Sequence, residues 1–418
     1  MVKKSILSLL LCLTAALSIH AVDTSQGIFH PDFRSLKVTK ENQFLSPPVI
    51  RLGSNERIIV NFDEIGDDWQ SLQFRLIHCN SDWQPSRLIE SEYLDGFNFA
   101  DIEDYAFSSN TFTNYVNYQF AIPAEGTQIL ASGNYVAEVF PQDDPDDVIL
   151  RLRFQVSEDS ALVKGQVTPR TDRGYNSEWQ QVELAVNVGN NNINPYTDLI
   201  ISVTQNRRPD TEVFVKNPLR VDNGNIIYEH NWDLIFPASN EYRRFETVRA
   251  DYPGMGIDKV DFGNRSYIAW LRPDKERTDI SYSYDQTQKG RFMIDSYSAT
   301  DPDLGADYVI TNFTLDYPQL MNGNIYINGD FTSNRYDEQY KMRYNPDTHL
   351  YTLSLPLKQG SYNYQYVAVK DGESKGSTSL IEGDKYETQN EYNVSVYYRS
   401  PTGRAERLIG SATVYAQP

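Results

Sequence analysis

The chain has 418 residues, with 38 Lys and Arg against 57 Asp and Glu, for a net charge of -19. That balance argues against a phosphate backbone or an anionic lipid surface as partner, because both require basic surface, so no nucleic-acid partner is expected. Hydrophobic residues make up 40%, with 29 Tyr and 19 Phe, which suits packed cores rather than disorder, and the length suits two to four domains.

Lys3 and Lys4 precede an apolar run from Ile6 to Ile19 that small residues close at Ser18 or Ala21. That is the layout of a secretory signal peptide over residues 1–21, too short to span a bilayer comfortably. Cleavage after Ser18 and cleavage after Ala21 each fit the pattern in part. Cys12 follows Leu11, where lipoprotein processing requires a small residue. With the signal removed, Cys79 is the single cysteine, so no intramolecular disulfide is expected in this exported chain. No later run is long and apolar enough for a transmembrane helix.

From there the pattern has period two. Arg57 to Phe62, Leu72 to His78, Tyr115 to Phe120, Asn134 to Phe140 and Val148 to Val156 read as strands. The last is the cleanest, with Val148, Leu150, Leu152, Phe154 and Val156 on one face and Ile149, Arg151, Arg153 and Gln155 on the other. Such alternation marks a half-buried antiparallel strand. These strands form a first unit over residues 27–158. The stretch from His78 to Tyr118 within it is long for a loop and dense in aromatics and acids, which suggests a functional elaboration.

A second unit is expected over residues 160–303, beginning with Gln181 to Val188 and Leu199 to Thr204. It includes Asp222-Asn223-Gly224-Asn225, whose Asn-Gly pair favours a tight hairpin. Ser266 to Leu271, Ile280 to Asp285 and Arg291 to Ile294 add strands, and Asp301-Pro302-Asp303 reads as a linker. A third unit is expected over residues 305–418. There Leu350 to Leu357 and Tyr362 to Val369 read as two arms of a hairpin turning at Lys358-Gln359-Gly360. The third unit is similar to the immunoglobulin-like modules that accompany sugar-polymer enzymes. The fold class is all-β: three consecutive immunoglobulin-like β-sandwich domains, with no helix of any length.

No catalytic set emerges. His30, His78, His230 and His349 lack partners at metal-ligand spacing, and there is no phosphate loop, nucleophile elbow or dinucleotide fingerprint. No metal and no cofactor is expected. Asp143, Asp144, Asp146 and Asp147 could gather calcium, but an exposed acidic turn is the simpler reading. Cys79 beside His78 shows no activating geometry and reads as a small buried side chain. Tyr362, Tyr364 and Tyr366 share one strand face, where a sugar-stacking platform and cross-strand packing both fit; packing is favoured. Among the aromatics of the long stretch most read as core plugs. Trp83, Tyr93, Phe97, Phe99 and Tyr105 are the candidates for contact with a partner, since Trp and Tyr are the usual anchors.

The run RLIHCNSDWQPSRLIESEYLDGF, then SSNTFTNYVNYQF, SGNYVAEVF and RLRFQV, resembles the N-terminal domain of the type IX secretion system plug family of Bacteroidota. His78, Asn80, Asp82, Trp83, Tyr93, Gly96, Tyr115, Gly133, Asn134 and Phe154 are among the residues that carry it. Tyr242-Arg243-Arg244-Phe245 and the run from Gly360 extend the likeness along the chain. The resemblance implies a non-enzymatic plug. Its partner would be the giant outer-membrane β-barrel translocon of that system, closed from the periplasmic side and held without a membrane span of its own. A periplasmic or surface glycan-binding protein is the alternative.

Overall fold

The computed structural model describes residues 23–189 and 193–417; the expected signal peptide, residues 1–21, lies outside the described residues. The protein is all-β. Its only α-helical pieces among the described residues are single turns at Glu90–Tyr93 and Pro302–Gly305.

The first unit is a sandwich of two sheets. Its strands are β1 (Gly27–Ile28), β2 (Phe33–Lys40), β3 (Val49–Arg51), β4 (Ile58–Ile65), β5 (Leu72–Cys79), β6 (Ala100–Asp101), β7 (Asp104–Phe107), β8 (Tyr115–Ile122), β9 (Gly133–Pro141) and β10 (Leu150–Ser157). One sheet runs β1-β10-β9-β5-β6, with β3 on the far end of β10, and the other runs β2-β4-β8-β7. Alternation in β10 puts Leu150, Leu152, Phe154 and Val156 into the core, each at most 1% exposed. Burying side chains of this size contributes about 1.5–3 kcal/mol each. The opposite face of β10 is not a free solvent face. Arg151 reaches Glu138 at 2.6 Å, and Gln155 reaches Ser395 and Tyr397 at 3.1 and 2.8 Å.

The second unit starts with β11 (Leu162–Thr168), β12 (Trp179–Asn187), β13 (Leu199–Gln205), β14 (Val213–Val215), β15 (Arg220–Asp222), β16 (Asn225–Tyr228) and β17 (Ile235–Pro237). The expected tight hairpin is present: Asp222 pairs with Asn225, and Asn223 and Gly224 have φ of 49° and 79°. The chain then leaves this unit. It builds a separate pair of sheets from β18 (Arg243–Glu246), β19 (Ile257–Gly263), β20 (Ser266–Leu271), β21 (Phe292–Ile294), β22 (Tyr308–Asp316), β23 (Gly323–Asn328), β24 (Arg343–Asn345), β25 (Leu350–Lys358) and β26 (Gly360–Lys370). It returns as β27 (Glu391–Tyr398) and β28 (Arg407–Tyr415), which complete the sheet β14-β13-β27-β28 of the second unit.

The units are therefore not consecutive, and a division at 303/305 cuts across sheets. Strands on both sides of that point share one core, from Phe245 and Leu271 to Tyr366 and Ile381. The second core joins Val182 and Ile201 to Tyr392, Val394 and Ile409. The third unit is an insert within the second. Asp301-Pro302-Asp303 is not a linker but the capped start of a helical turn, with the Asp301 side chain accepting from Asp303 N.

The expected hairpin over 350–369 is also replaced. β25 pairs with β22, whereas β26 pairs with β18, β21 and β23, so the chain changes sheets at Lys358–Gly360. Gly360 permits this corner because a Cβ there would collide with the Met293 carbonyl. The stretch from Ile280 to Asp285, expected as a strand, forms none.

The three units are locked by buried polar contacts. Between the first unit and the insert, Lys358 pairs with Asp63 at 2.7 Å with both side chains at most 1% exposed. Tyr308 donates to the same carboxylate, and Asp307 accepts from the Phe112 and Thr113 amides. Between the second unit and the insert, Arg291 pairs with Glu391, and Asp210 accepts from Tyr336 and the Gly376 amide. Between the first and second units, Tyr397 donates to Asn134, and Glu406 accepts from the Ser81 amide at 2.8 Å.

Glu406 and Glu158 give this last seam a pH dependence. Burial alone would push both carboxyls up. For Glu406 the Ser81 and Arg399 donors outweigh it, and for Glu158 the Arg407 and Ser132 donors do, so both lie below the ordinary 4.5. A carboxylate with a depressed folded pKa stabilises fully above its unfolded value and ceases to do so as pH falls through the folded one. Acidification below 4.5 should therefore loosen this seam. Hydrogen exchange, corrected for intrinsic rate, should show faster exchange at the Ser81 and Glu158 amides in acid, while the amides of β9 stay protected.

Candidate partner-docking surface

The long stretch of the first unit closes one side of its sandwich. β6 and β7 are the outermost strands of the two sheets on that side, only two residues apart in the chain, and neither has a further strand beside it. The other units are bonded to the outer faces of the two sheets, through Asp63 and Gln155, which leaves this side exposed.

Three of the five candidate anchors lie here. Phe97 is 88% exposed and Phe99 is 47% exposed. Tyr105 is half-buried on the rim, stacked on exposed Trp69 with centroids 4.7 Å apart and 6.5 Å from exposed Phe107. Trp69 and Phe107 were not singled out by sequence. Trp69 sits in a polar turn before β5, and only the fold brings it beside Tyr105. Phe112, by contrast, packs on Phe262 and Tyr267 of the insert.

The other two candidates lie elsewhere. Tyr93 is a core plug, with its ring near His78 and Tyr135 and its hydroxyl donating to the Leu76 carbonyl at 3.0 Å. Trp83 holds a φ of 62° in the turn Asn80–Gln84 and lies under the Arg153 guanidinium, 4.5 Å from its ring centroid, where the units meet.

The charge around the exposed aromatics is one-sided. From Leu88 to Leu150 there is no Lys or Arg, and there are twelve Asp and Glu. Asp67, Asp68, Asp95, Asp101, Glu103 and Asp104 are exposed along this edge. Exposed aromatics interspersed with acids form the kind of surface that a protein partner covers, with apolar anchors inside a polar rim.

The residues that invite chemistry are structural. His78 is buried, with Nδ1 2.8 Å from the Ser86 hydroxyl and Nε2 3.0 Å from the Ser132 carbonyl. Burial pushes its imidazole down, so it is held neutral. A side chain at Gly133 would collide with this ring. Cys79 is fully buried, and burial pushes its thiol up to about 12, far from the thiolate that a nucleophile requires. Tyr362, Tyr364 and Tyr366 are at most 3% exposed and line the core of the insert; the hydroxyls of the latter two donate to Asp274. They offer no platform to a sugar. Asp143, Asp144, Asp146 and Asp147 are all exposed; among the described residues no cluster of three or more His, Cys, Asp or Glu could hold a metal. No helix among the described residues is long and apolar enough to cross a membrane.

Fold and surface together define an all-β protein of three interlocked sandwich units. The first unit belongs to the type 9 secretion system plug protein family: the model of that family's first domain matches residues 33–158, the unit that bears the exposed aromatic edge. A crystal structure of a hypothetical protein from Parabacteroides merdae is 40% identical and covers 94% of this chain and 100% of that one, with a TM-score of 0.92. The Enterococcus faecalis MSCRAMM ACE, 9% identical over 94% of this chain and 96% of that one, has a TM-score of only 0.12 and informs nothing here. No curated protein matches the chain. That match suggests a role in type IX secretion, a periplasmic or outer-membrane setting, and a part that is not catalytic.

Proposed function

We propose that this protein is a non-enzymatic plug that binds the outer-membrane β-barrel translocon of the type IX system and closes it from the periplasmic side. The observation that carries this reading is the family match over residues 33–158. Two features of the structure support it. A plug must fill an opening without yielding, and the three units are joined through buried ion pairs such as Asp63–Lys358 and Arg291–Glu391 rather than by flexible linkers. A plug must also detach, which suits a moderate interface with a polar rim rather than an obligate apolar one; the aromatic edge set among acids has that composition.

Closure here is steric occlusion. A barrel wide enough for folded proteins would leak solutes, and a rigid body seated on its inner mouth stops that flow without a chemical step. Deleting the protein, in a strain whose barrel also lacks its other closing partners, should raise entry of a large hydrophilic dye that the outer membrane excludes. Restoring the protein should reverse it. Unchanged permeability would overturn the reading.

A further inference from the structure

Between the first unit and the insert lies a half-open cavity of about 580 Å3. Phe33 and the turn from Phe29 to Pro31 contribute the first-unit wall, and Phe292, Phe331, Leu355 and Tyr362 contribute the wall on the insert. Phe33, Phe292, Leu355 and Tyr362 are each at most 6% exposed, and the rings of Phe292, Phe331 and Tyr362 pack on one another with centroids 5.4–6.4 Å apart. Both the volume and the apolar, aromatic lining are those of a small-molecule site, for which ~300–1,000 Å3 is usual.

Part of the insert wall is a strand edge. β25 pairs with β22 along its whole length, but β24 covers its other edge only over Leu350–Thr352, and Ser354 to Leu357 line the cavity. An open edge invites another strand. Pro356, however, has no N–H to offer one, and Pro on an edge guards against such pairing. The wall therefore suits an apolar chain that needs no backbone hydrogen bonds better than it suits a peptide strand.

The charge on the wall is unbalanced. Asp337, its single carboxylate, accepts from Arg335 Nε and Nη2 at 2.6 and 3.1 Å, and Arg335 Nη1 donates to Ser25 at 2.7 Å. Those two charges satisfy each other, and His30 lies 3.8 Å from Asp32. Arg34 is different. Its Nη1 donates to the Pro31 and Phe33 carbonyls, and no carboxylate among the described residues pairs with it. Arg34 Nε, Arg34 Nη2 and the Tyr340 hydroxyl have no hydrogen-bond partner among the described residues, and none of the three is sealed from solvent. Burial raises the Tyr340 phenol most and Arg34 opposes that rise, so the guanidinium stands close to this hydroxyl. Arg34 and Tyr340 both line the cavity.

We propose that this cavity binds a single alkyl chain that ends in an anion. The chain lies against Phe33, Phe292, Tyr362 and the edge of β25, and the anionic end accepts from Arg34 and Tyr340. A free fatty acid and the acyl chain of a single-chain anionic lipid share this chemistry. The site is separate from the aromatic edge of the first unit, and the plug reading does not depend on it.

Calorimetric titration of the mature protein tests it, with octanoate, decanoate, dodecanoate and decan-1-ol as probes. The acids should bind saturably at one site, each added methylene tightening binding roughly fourfold. Decan-1-ol should bind at least about tenfold more weakly than decanoate. Tighter binding of decanoate than of 1-decanoyl-lysophosphatidylglycerol marks a free acid as the source; the reverse marks a lipid chain. Arg34→Met should lower decanoate to the affinity of decan-1-ol and leave decan-1-ol unchanged. Leu357→Trp, which fills the cavity from β25 and removes no charge, should weaken every probe at least about tenfold. No saturable binding, no gain with chain length, equal binding of decanoate and decan-1-ol, or full decanoate binding by folded Arg34→Met would each overturn the proposal.

Discussion

Replacing Lys358 with Met should destabilise the protein by about 3–5 kcal/mol, the cost of leaving a buried charge without its partner. The Asp63 carboxylate would keep donors from Tyr308 and Asn117 but lose its counter-ion, and the Asp303 carbonyl would lose the same ammonium. Lys358 also lies over the Tyr115 ring at 4.0 Å, so its removal takes away that cation–π contact between the first unit and the insert as well. Burial already pushes this ammonium down, with Asp63 offsetting only part of that. The pair is accordingly weak evidence for stability, but breaking it is costly. Asp63→Leu together with Lys358→Met should recover part of the loss, because no unpaired charge then remains. Denaturant midpoints of the two variants and the parent measure both effects; a single variant as stable as the parent would mean that the junction is solvated and the units are not locked.

The second large effect concerns the aromatic edge. Phe97→Ala and Trp69→Ala should each weaken capture of the partner by about thirtyfold, the 2 kcal/mol or more typical of an aromatic anchor. Phe97 is 88% exposed, so its loss should change stability by no more than about 0.5 kcal/mol. Tyr93→Phe makes the opposite comparison. It removes the hydroxyl that donates to Leu76 and should cost about 1 kcal/mol of stability while leaving capture intact. Binding titrations alongside unfolding curves separate the two roles. If Tyr93→Phe lost the partner and Phe97→Ala did not, the surface would be misplaced.

What the sequence disclosed was local. The alternation in β10 and the Asn223-Gly224 turn are properties of neighbouring residues, and both are found as expected. Which strands share a sheet is not local. β13 pairs with β27, Leu199 opposite Tyr398, and no pattern within either strand identifies the other. The insert was invisible for that reason, and the turn-like Lys358-Gln359-Gly360 suggested a hairpin where the chain instead crosses between sheets. Lys358 in particular read as a turn residue, and only the fold places it against Asp63.

The candidate surface was partly legible. Aromatic density marked the right stretch, but exposure separates Phe97 and Phe99 from Tyr93, and density says nothing of exposure. Trp83 was drawn from the same run and faces a cavity where the three units meet. The resemblance to the plug family rested on residues many of which prove structural, such as His78, Gly133 and Asn134, so it located a fold more directly than an interface.

Affinity purification of the tagged protein from detergent-solubilised envelopes tests the central claim most directly. A very large outer-membrane β-barrel protein should be retained with the intact protein and lost with the Trp69→Ala, Phe97→Ala double variant. Recovery of the protein without any such barrel, under conditions that keep outer-membrane complexes together, would contradict the account.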